Sequence, residues 1–196
     1  TKFYSELDKE NWKMKKRPWK ILKSESKYKT PWIEVVHHDV ITPGGSKWIY
    51  GCVVFQNIAV WVIVLDENYN TWLVGQFRFP LQKYTWELPE GGCPLNEEPL
   101  AAANRELKEE VGITAKDWVL VQEMDLSNSA TDEISYTYVA KDIEIGEPCQ
   151  DENEDITIKK LPFKEVYKMV LDGEIRDAIR VAGILKVNQT MEDGTI

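Results

Sequence analysis

Cysteine is sparse in this chain, and what there is sits badly for pairing: Cys52, Cys93 and Cys149 are odd in number and widely spaced. They fit neither a disulfide framework nor a zinc-binding pattern, which points to a reducing compartment. Histidine is rarer still. His37 and His38 are adjacent on a predicted strand and point to opposite faces, so they make neither a shared ligand pair nor a dyad. Positive charge is also short: 24 Lys and Arg stand against 33 Asp and Glu, a formal net charge of −9. That balance argues against a sequence-independent nucleic-acid footprint. The longest apolar run, IAVWVIVL at residues 58–65, is far too short to cross a bilayer and reads as a buried strand. The opening TKFYSELDKENWKMKKRPWK is charged throughout and lacks the apolar core of a signal peptide. Repeats and low-complexity tracts are absent. These absences predict a cytoplasmic protein with no membrane or nucleic-acid partner.

What is present is enough for one sizeable core: 196 residues, 43% of them hydrophobic, including eight Trp. Residues 1–30 are basic and polar, with a short helix suggested through SELDKENWKM. IEVVHHDV and WIYGCVVF then read as a hairpin about TPGGS. IAVWVIVL, TWLVGQF, WVLVQEMDL, EISYTYVA and DITIKKL continue the strands. Helices are predicted over 97–111, 163–170 and roughly 174–187, with Gly173 separating the last two. Strands outnumber helices and do not alternate regularly with them, which argues for an α+β layered domain.

The helix at 97–111 concentrates carboxylates. Asn96 is placed to cap it, Pro99 suits its first turn, and Gly112 is a fitting stop. Leu100, Ala103, Leu107 and Val111 gather on one face. Glu106, Glu109 and Glu110 stand at i, i+3 and i+4, so they project together from a neighbouring face. Like charges at this spacing repel, and Glu109 and Glu110 lie near the negative end of the helix dipole. The cluster is either a solvated face or a site for a hard cation such as Mg²⁺; its spacing leaves both open.

The flanking residues add to this. Gly91 is followed by five residues and Glu97; seven more lead to Arg105, Glu106, Leu107, a spacer, Glu109, Glu110, a spacer, Gly112 and Ile113. This order resembles the Nudix hydrolase signature, G-x5-E-x7-R-E-U-x-E-E-x-G-U with U bulky and apolar, at every fixed position. The resemblance implies a mixed β-sheet sandwiched between α-helices, here with an N-terminal β-strand extension. It also implies Mg²⁺, with Mn²⁺ as a substitute, held by Glu106, Glu109 and Glu110 and by the backbone carbonyl of Glu90 or Gly91. Arg105 and Glu97 would pair to orient that cluster, and the reaction would be hydrolysis of a nucleoside diphosphate linked to a further group.

Further stretches are similar to the ADP-ribose and nucleoside diphosphate sugar pyrophosphatases. QFRFP (residues 76–80) and WELPEGG (residues 86–92) are two of them, and they imply that Arg78 lies near the substrate phosphates. SNSATDEISYTYVA falls where these enzymes carry a catalytic glutamate; Glu133 takes that place as general base, with Asp132 its rival. Many ADP-ribose enzymes have Ser-Pro-Gly in this loop, whereas this chain has Asn128, Ser129 and Ala130, a departure bearing on strict ADP-ribose specificity. In related dimers, aromatic residues of the N-terminal strands of both subunits sandwich the base, a role the resemblance gives to Trp32 and Trp48. Residues 1–57 are thus expected to form a dimerising extension and residues 58–196 the hydrolase domain.

The expected activity is Mg²⁺-dependent cleavage of ADP-ribose or a related nucleotide sugar by a homodimer. A hydrolase of dinucleoside polyphosphates or nucleoside triphosphates is a second reading, and a nucleotide-sugar sensor without turnover is a third. Such sensors lose signature carboxylates, and all are present here. The acidic run at residues 151–155 lacks calcium-loop spacing and reads as a solvated loop. Cys93 occupies a variable position of the signature, which argues against a catalytic thiol.

Overall fold

A computed structural model describes residues 18–150 and 155–196. The helix expected through SELDKENWKM, and most of the acidic run, lie outside those residues. The chain divides into two compact units. One comprises the described residues up to Phe55 together with Ser129–Asp132; the other comprises Gln56–Asn128 and Glu133–Ile196.

The first unit is a three-stranded antiparallel sheet in the order β1 (Lys20–Lys29), β2 (Ile33–Ile41), β3 (Lys47–Phe55). The β2–β3 hairpin closes over Thr42 to Ser46, where Gly45 adopts φ +88°, a value that suits glycine. β1 adds a strand to those expected. Its sequence KILKSESKYK is exposed along its whole length, so no buried face imprints an alternating pattern on it. His37 and His38 have separate partners, Asp39 and Ser24, as their opposite orientations require. Residues 129–132 join the edge of β3: the Val53 amide donates to the Ala130 carbonyl at 2.9 Å, and the Tyr50 hydroxyl to that of Ser129 at 2.6 Å.

The second unit holds two sheets and three helices. β7 (Glu90–Pro94), β4 (Asn57–Val64), β9 (Ile134–Ile145) and β8 (Ile113–Asp125) form a mixed sheet in that order, with β4 and β9 parallel. β10 (Thr157–Pro162), β5 (Asn70–Arg78) and β6 (Lys83–Glu87) form an antiparallel one. Helix α1 (Pro99–Val111) packs on β4, β7 and β8; α2 (Phe163–Leu171) and α3 (Ala178–Glu192) pack on each other, and α3 also on β8 and β9. β4 explains the layering. Val60, Val62 and Val64 point into the core with α1, while Trp61, Ile63 and Leu65 point into the core with α2 and α3. A strand covered on both faces needs apolar residues at every position, which is why IAVWVIVL is a continuous run. The fold is therefore α+β, a mixed sheet between helices.

Several local expectations need correction. Asn96 does not cap α1: the N-cap is Glu98, with no side-chain bond, and Pro99 opens the helix. The buried face of α1 is Ala102, Ala103, Leu107, Glu110 and Val111, rotated away from Leu100, which is exposed. α3 begins four residues later than predicted, because the Asp177 side chain accepts from the amides of Ile179 and Arg180 and sets the start. β6 and β7 were missed, β7 because its Glu-Gly-Gly opening carries no strand propensity.

Candidate functional site

The α1 carboxylates meet β7 at very short range. A Cβ built on Gly91 would overlap the Cγ, Cδ and Oε1 atoms of Glu106, so any side chain there would push that carboxyl aside where it crosses the strand. One residue earlier, the Glu90 amide donates to Oε2 of Glu110 at 2.8 Å. Glu110 is buried; Glu109, on the outer side of the cluster, is 44% exposed. Helical spacing sets the three acids on one side, and the β4–β7 pairing brings β7 against two of them.

Arg105 organises the outer half. Its guanidinium donates to both oxygens of Glu97 (3.3 and 3.0 Å), to the carbonyl of Gly92 (3.1 Å), to Glu106 (2.8 Å) and to Glu109 (3.2 Å). Glu97 above all, and then Glu106, hold its pKa above the ordinary arginine value despite partial burial. The expected Arg105–Glu97 pair is thus present in the geometry.

The inner half adds Glu87 and Arg180, which no sequence motif marks as site residues. Glu87 is 0% exposed. It accepts from Nε of Arg78 at 2.9 and 3.0 Å, from Gln76 and from Thr85, and pairs with Arg180 at 2.8 Å. Arg78 also donates to Oε1 of Glu90, and Arg180 to Oε2 of Glu90 at 2.8 Å. Arg78 therefore sits beside the cluster, paired with two acids. Arg180, in the first turn of α3, is buried and stacks on the Trp61 ring, 4.6 Å from its centroid. Burial pushes its pKa down while Glu87, Asp177 and Glu110 push it back up. Glu87 lay within a motif already noted, but Arg180 had no sequence signal at all.

Among the described residues, no three acidic, His or Cys side chains stand ready-made as a metal cage. Arg105 engages Glu106 and Glu109, and the Glu90 amide engages Glu110. The chemistry nonetheless fits a hard divalent cation. Glu87, Glu90, Glu97, Glu106, Glu109 and Glu110 face Arg78, Arg105 and Arg180, an excess of three negative charges in a partly desolvated cluster. All the donors are oxygens, as such a cation prefers.

Glu133 precedes β9 and is partly buried; burial first, and Asp177 second, raise its carboxyl pKa. Asp132 differs: its Oδ1 accepts from the Phe55 amide at 2.8 Å within the N-terminal unit. Trp32 and Trp48 are 66% and 63% exposed. Trp48 borders a cavity of about 590 Å³ with Leu22, Val40 and Ile49. The two indoles are not brought together. Trp32 adjoins Ile33 and Trp48 pairs opposite Val40, seven residues along β2, roughly 23 Å at strand rise. All three cysteines are free, and among the described residues no helix is long and apolar enough to cross a membrane.

Residues 56–180 match the model of the NUDIX domain, and residues 19–53 that of the nucleoside diphosphate sugar hydrolase N-terminal domain. The chain is 36% identical over 133 residues to the ADP-ribose pyrophosphatase of Mycobacterium tuberculosis, a match covering 66% of this chain and 64% of that protein. It is 30% identical over 167 residues to the ADP-ribose pyrophosphatase of Bacillus subtilis, covering 84% of this chain and 90% of that one. A crystal structure of an ADP compounds hydrolase superposes with a TM-score of 0.81 at 22% identity, covering 91% of this chain and 97% of its own, a likeness of fold.

Proposed function

The chain belongs to the NUDIX family, and from that premise we propose that it hydrolyses the diphosphate of ADP-ribose or a related nucleoside diphosphate sugar. The products are a nucleoside monophosphate and a sugar phosphate; for ADP-ribose they are AMP and ribose 5-phosphate. The observation that carries the reading is the cluster itself, with the Glu106 carboxyl against Gly91 and Arg105 tied to Glu97, Glu106 and Glu109. The two ADP-ribose pyrophosphatases above support the substrate class.

In this proposal Glu106, Glu109 and Glu110, with the carbonyl of Glu90 or Gly91, hold Mg²⁺, for which Mn²⁺ substitutes. When bound, the cation neutralises phosphate oxygens and acidifies water. Arg105 and Glu97 fix the orientation of the carboxylates. Arg78 leaves its carboxylate partners to take a phosphate oxygen, for which its planar fork is suited. Glu133 accepts the proton as water attacks one phosphorus atom and the bridging P–O bond breaks. Its raised pKa makes it a stronger base than an ordinary carboxylate.

Residues 1–57 serve as the dimerising extension of a cytoplasmic homodimer and residues 58–196 as the hydrolase domain. Because Trp32 and Trp48 lie far apart within one chain, a shared stack on the base needs one indole from each subunit. The test is a panel of ADP-ribose, GDP-mannose, UDP-glucose, NADH, diadenosine polyphosphates and nucleoside triphosphates, assayed with Mg²⁺. Turnover of a nucleoside diphosphate sugar is expected. Turnover of polyphosphates alone reassigns the substrate, and binding of ADP-ribose without turnover makes the protein a sensor.

A further inference from the structure

Two arginines share two carboxylates at the inner edge of the site, Glu87 fully buried and Glu90 12% exposed, and the arginines are not equivalent. Arg78 keeps 33% of its side chain exposed, whereas Arg180 keeps 7%. Each touches both Glu87 and Glu90, and Glu90 is held on both oxygens, Oε1 by Arg78 and Oε2 by Arg180. If Arg78 were the sole counter-ion, its departure toward a phosphate would strand the fully buried Glu87 and the largely buried Glu90, which is strongly unfavourable. A second, fixed cation removes that obstacle.

Arg180 has the features of a fixed cation. It stacks on Trp61, 4.6 Å from the ring centroid, and its Nη1 lies 3.8 Å from Asp177, the cap of its own helix. A cation in the first turn of a helix opposes the dipole, so the acids facing it must be what makes that position favourable.

We propose that Arg180 is a positioning residue: it keeps Glu87 and Glu90 neutralised so that the more exposed Arg78 is free to bind the substrate's diphosphate. The identity of the substrate rests on the proposed function; the division of labour between the two arginines rests on the geometry. Because Glu90 reaches Glu110 through its main-chain amide, losing its side-chain partner leaves that link in place. The effect of removing Arg180 therefore falls on diphosphate binding more than on the chemical step.

The test compares wild type, Arg180→Gln, Glu87→Gln and the double variant. Calorimetry with α,β-methylene ADP-ribose reads Kd without turnover, and kinetics with ADP-ribose read KM and kcat. Arg180→Gln should raise Kd and KM about tenfold, the scale of one charge-assisted bond to phosphate, with kcat changed less than about threefold. Adding Glu87→Gln removes the fully buried one of the two carboxylates that recapture Arg78, so the double variant should bind more tightly than Arg180→Gln alone. An unchanged Kd in Arg180→Gln, or a double variant as weak as the single one, overturns the proposal. If Arg180→Gln does not fold, Arg180→Lys replaces it. Its single ammonium serves one carboxylate oxygen, so Kd should rise about threefold, and no rise overturns the proposal. Wild-type binding without turnover would count against the proposed function alone.

Discussion

The main-chain amide of Glu90 donates to Oε2 of Glu110 over 2.8 Å, tying the first residue of β7 to the last carboxylate of the α1 cluster. This bond uses one oxygen of a buried acid and fixes the register between helix and strand. Glu110→Gln retains a carbonyl oxygen to accept it, so the fold should survive while a charge is lost. Activity should fall by more than the ~10–100-fold typical of losing a supporting residue, with a small change in melting temperature. Glu109→Gln, at an exposed position, should behave likewise and be neutral or slightly stabilising, because it relieves like-charge crowding. Near-normal turnover in both variants would reduce the cluster to a solvated face.

Gly91 offers a steric test. Its absent Cβ is what lets the Glu106 carboxyl cross β7, so Gly91→Ala must displace either that carboxyl or the strand. Because the atoms in the way belong to the Glu106 side chain, the stability loss should stay at or below the low end of the ~1–3 kcal/mol of core overpacking, while Mn²⁺ binding by calorimetry should weaken. Wild-type stability and Mn²⁺ affinity together would show that the contact is not needed.

Glu133 should leave a signature in the pH–rate profile. Its pKa is raised by burial first and by Asp177 second, and a general base works only when deprotonated. The rate should therefore rise with pH through a pKa above the ordinary carboxylate range. Asp177→Asn keeps a competent helix cap but removes the neighbouring charge, and should move that limb to lower pH. Glu133→Gln should depress kcat more than Asp132→Asn. Stability runs the other way. A raised folded-state pKa favours the protonated native form, so this contribution is full below the unfolded pKa and lost as pH rises through the folded one. Urea titrations of Glu133→Gln should show that fall flattened.

The N-terminal sheet should mediate dimerisation. Its strands expose Ile21, Leu22, Tyr28, Trp48 and Ile49, and the segments flanking them Trp19 and Trp32, more aromatic and aliphatic surface than an isolated small sheet leaves to solvent. Light scattering should give twice the chain mass of 22.7 kDa. Mixing inactive Glu110→Gln with inactive Trp48→Ala subunits should restore activity, because each hybrid dimer has one site with both defects and one with neither. Monomers in solution would return both indoles to a role within one chain.

Local periodicity and side-chain chemistry encode part of this architecture. The unbroken apolar run of β4 announces a strand buried on both faces, and Glu106, Glu109 and Glu110 fall on one side of α1 at any helix boundary within a residue or two. Gly112 takes φ +71° at the end of α1, as its position suggests. Other features have no local signal. β7 is a strand because β4 offers it a partner, not because Glu-Gly-Gly favours extension. β1 is exposed along its length, and nothing in its pattern marks a face. Arg180 reads as an ordinary helical arginine until the fold carries it to a carboxylate 90 positions earlier. Charge on a side chain is legible in one dimension; its counter-ion is chosen by which elements pack together, and tertiary structure alone decides that.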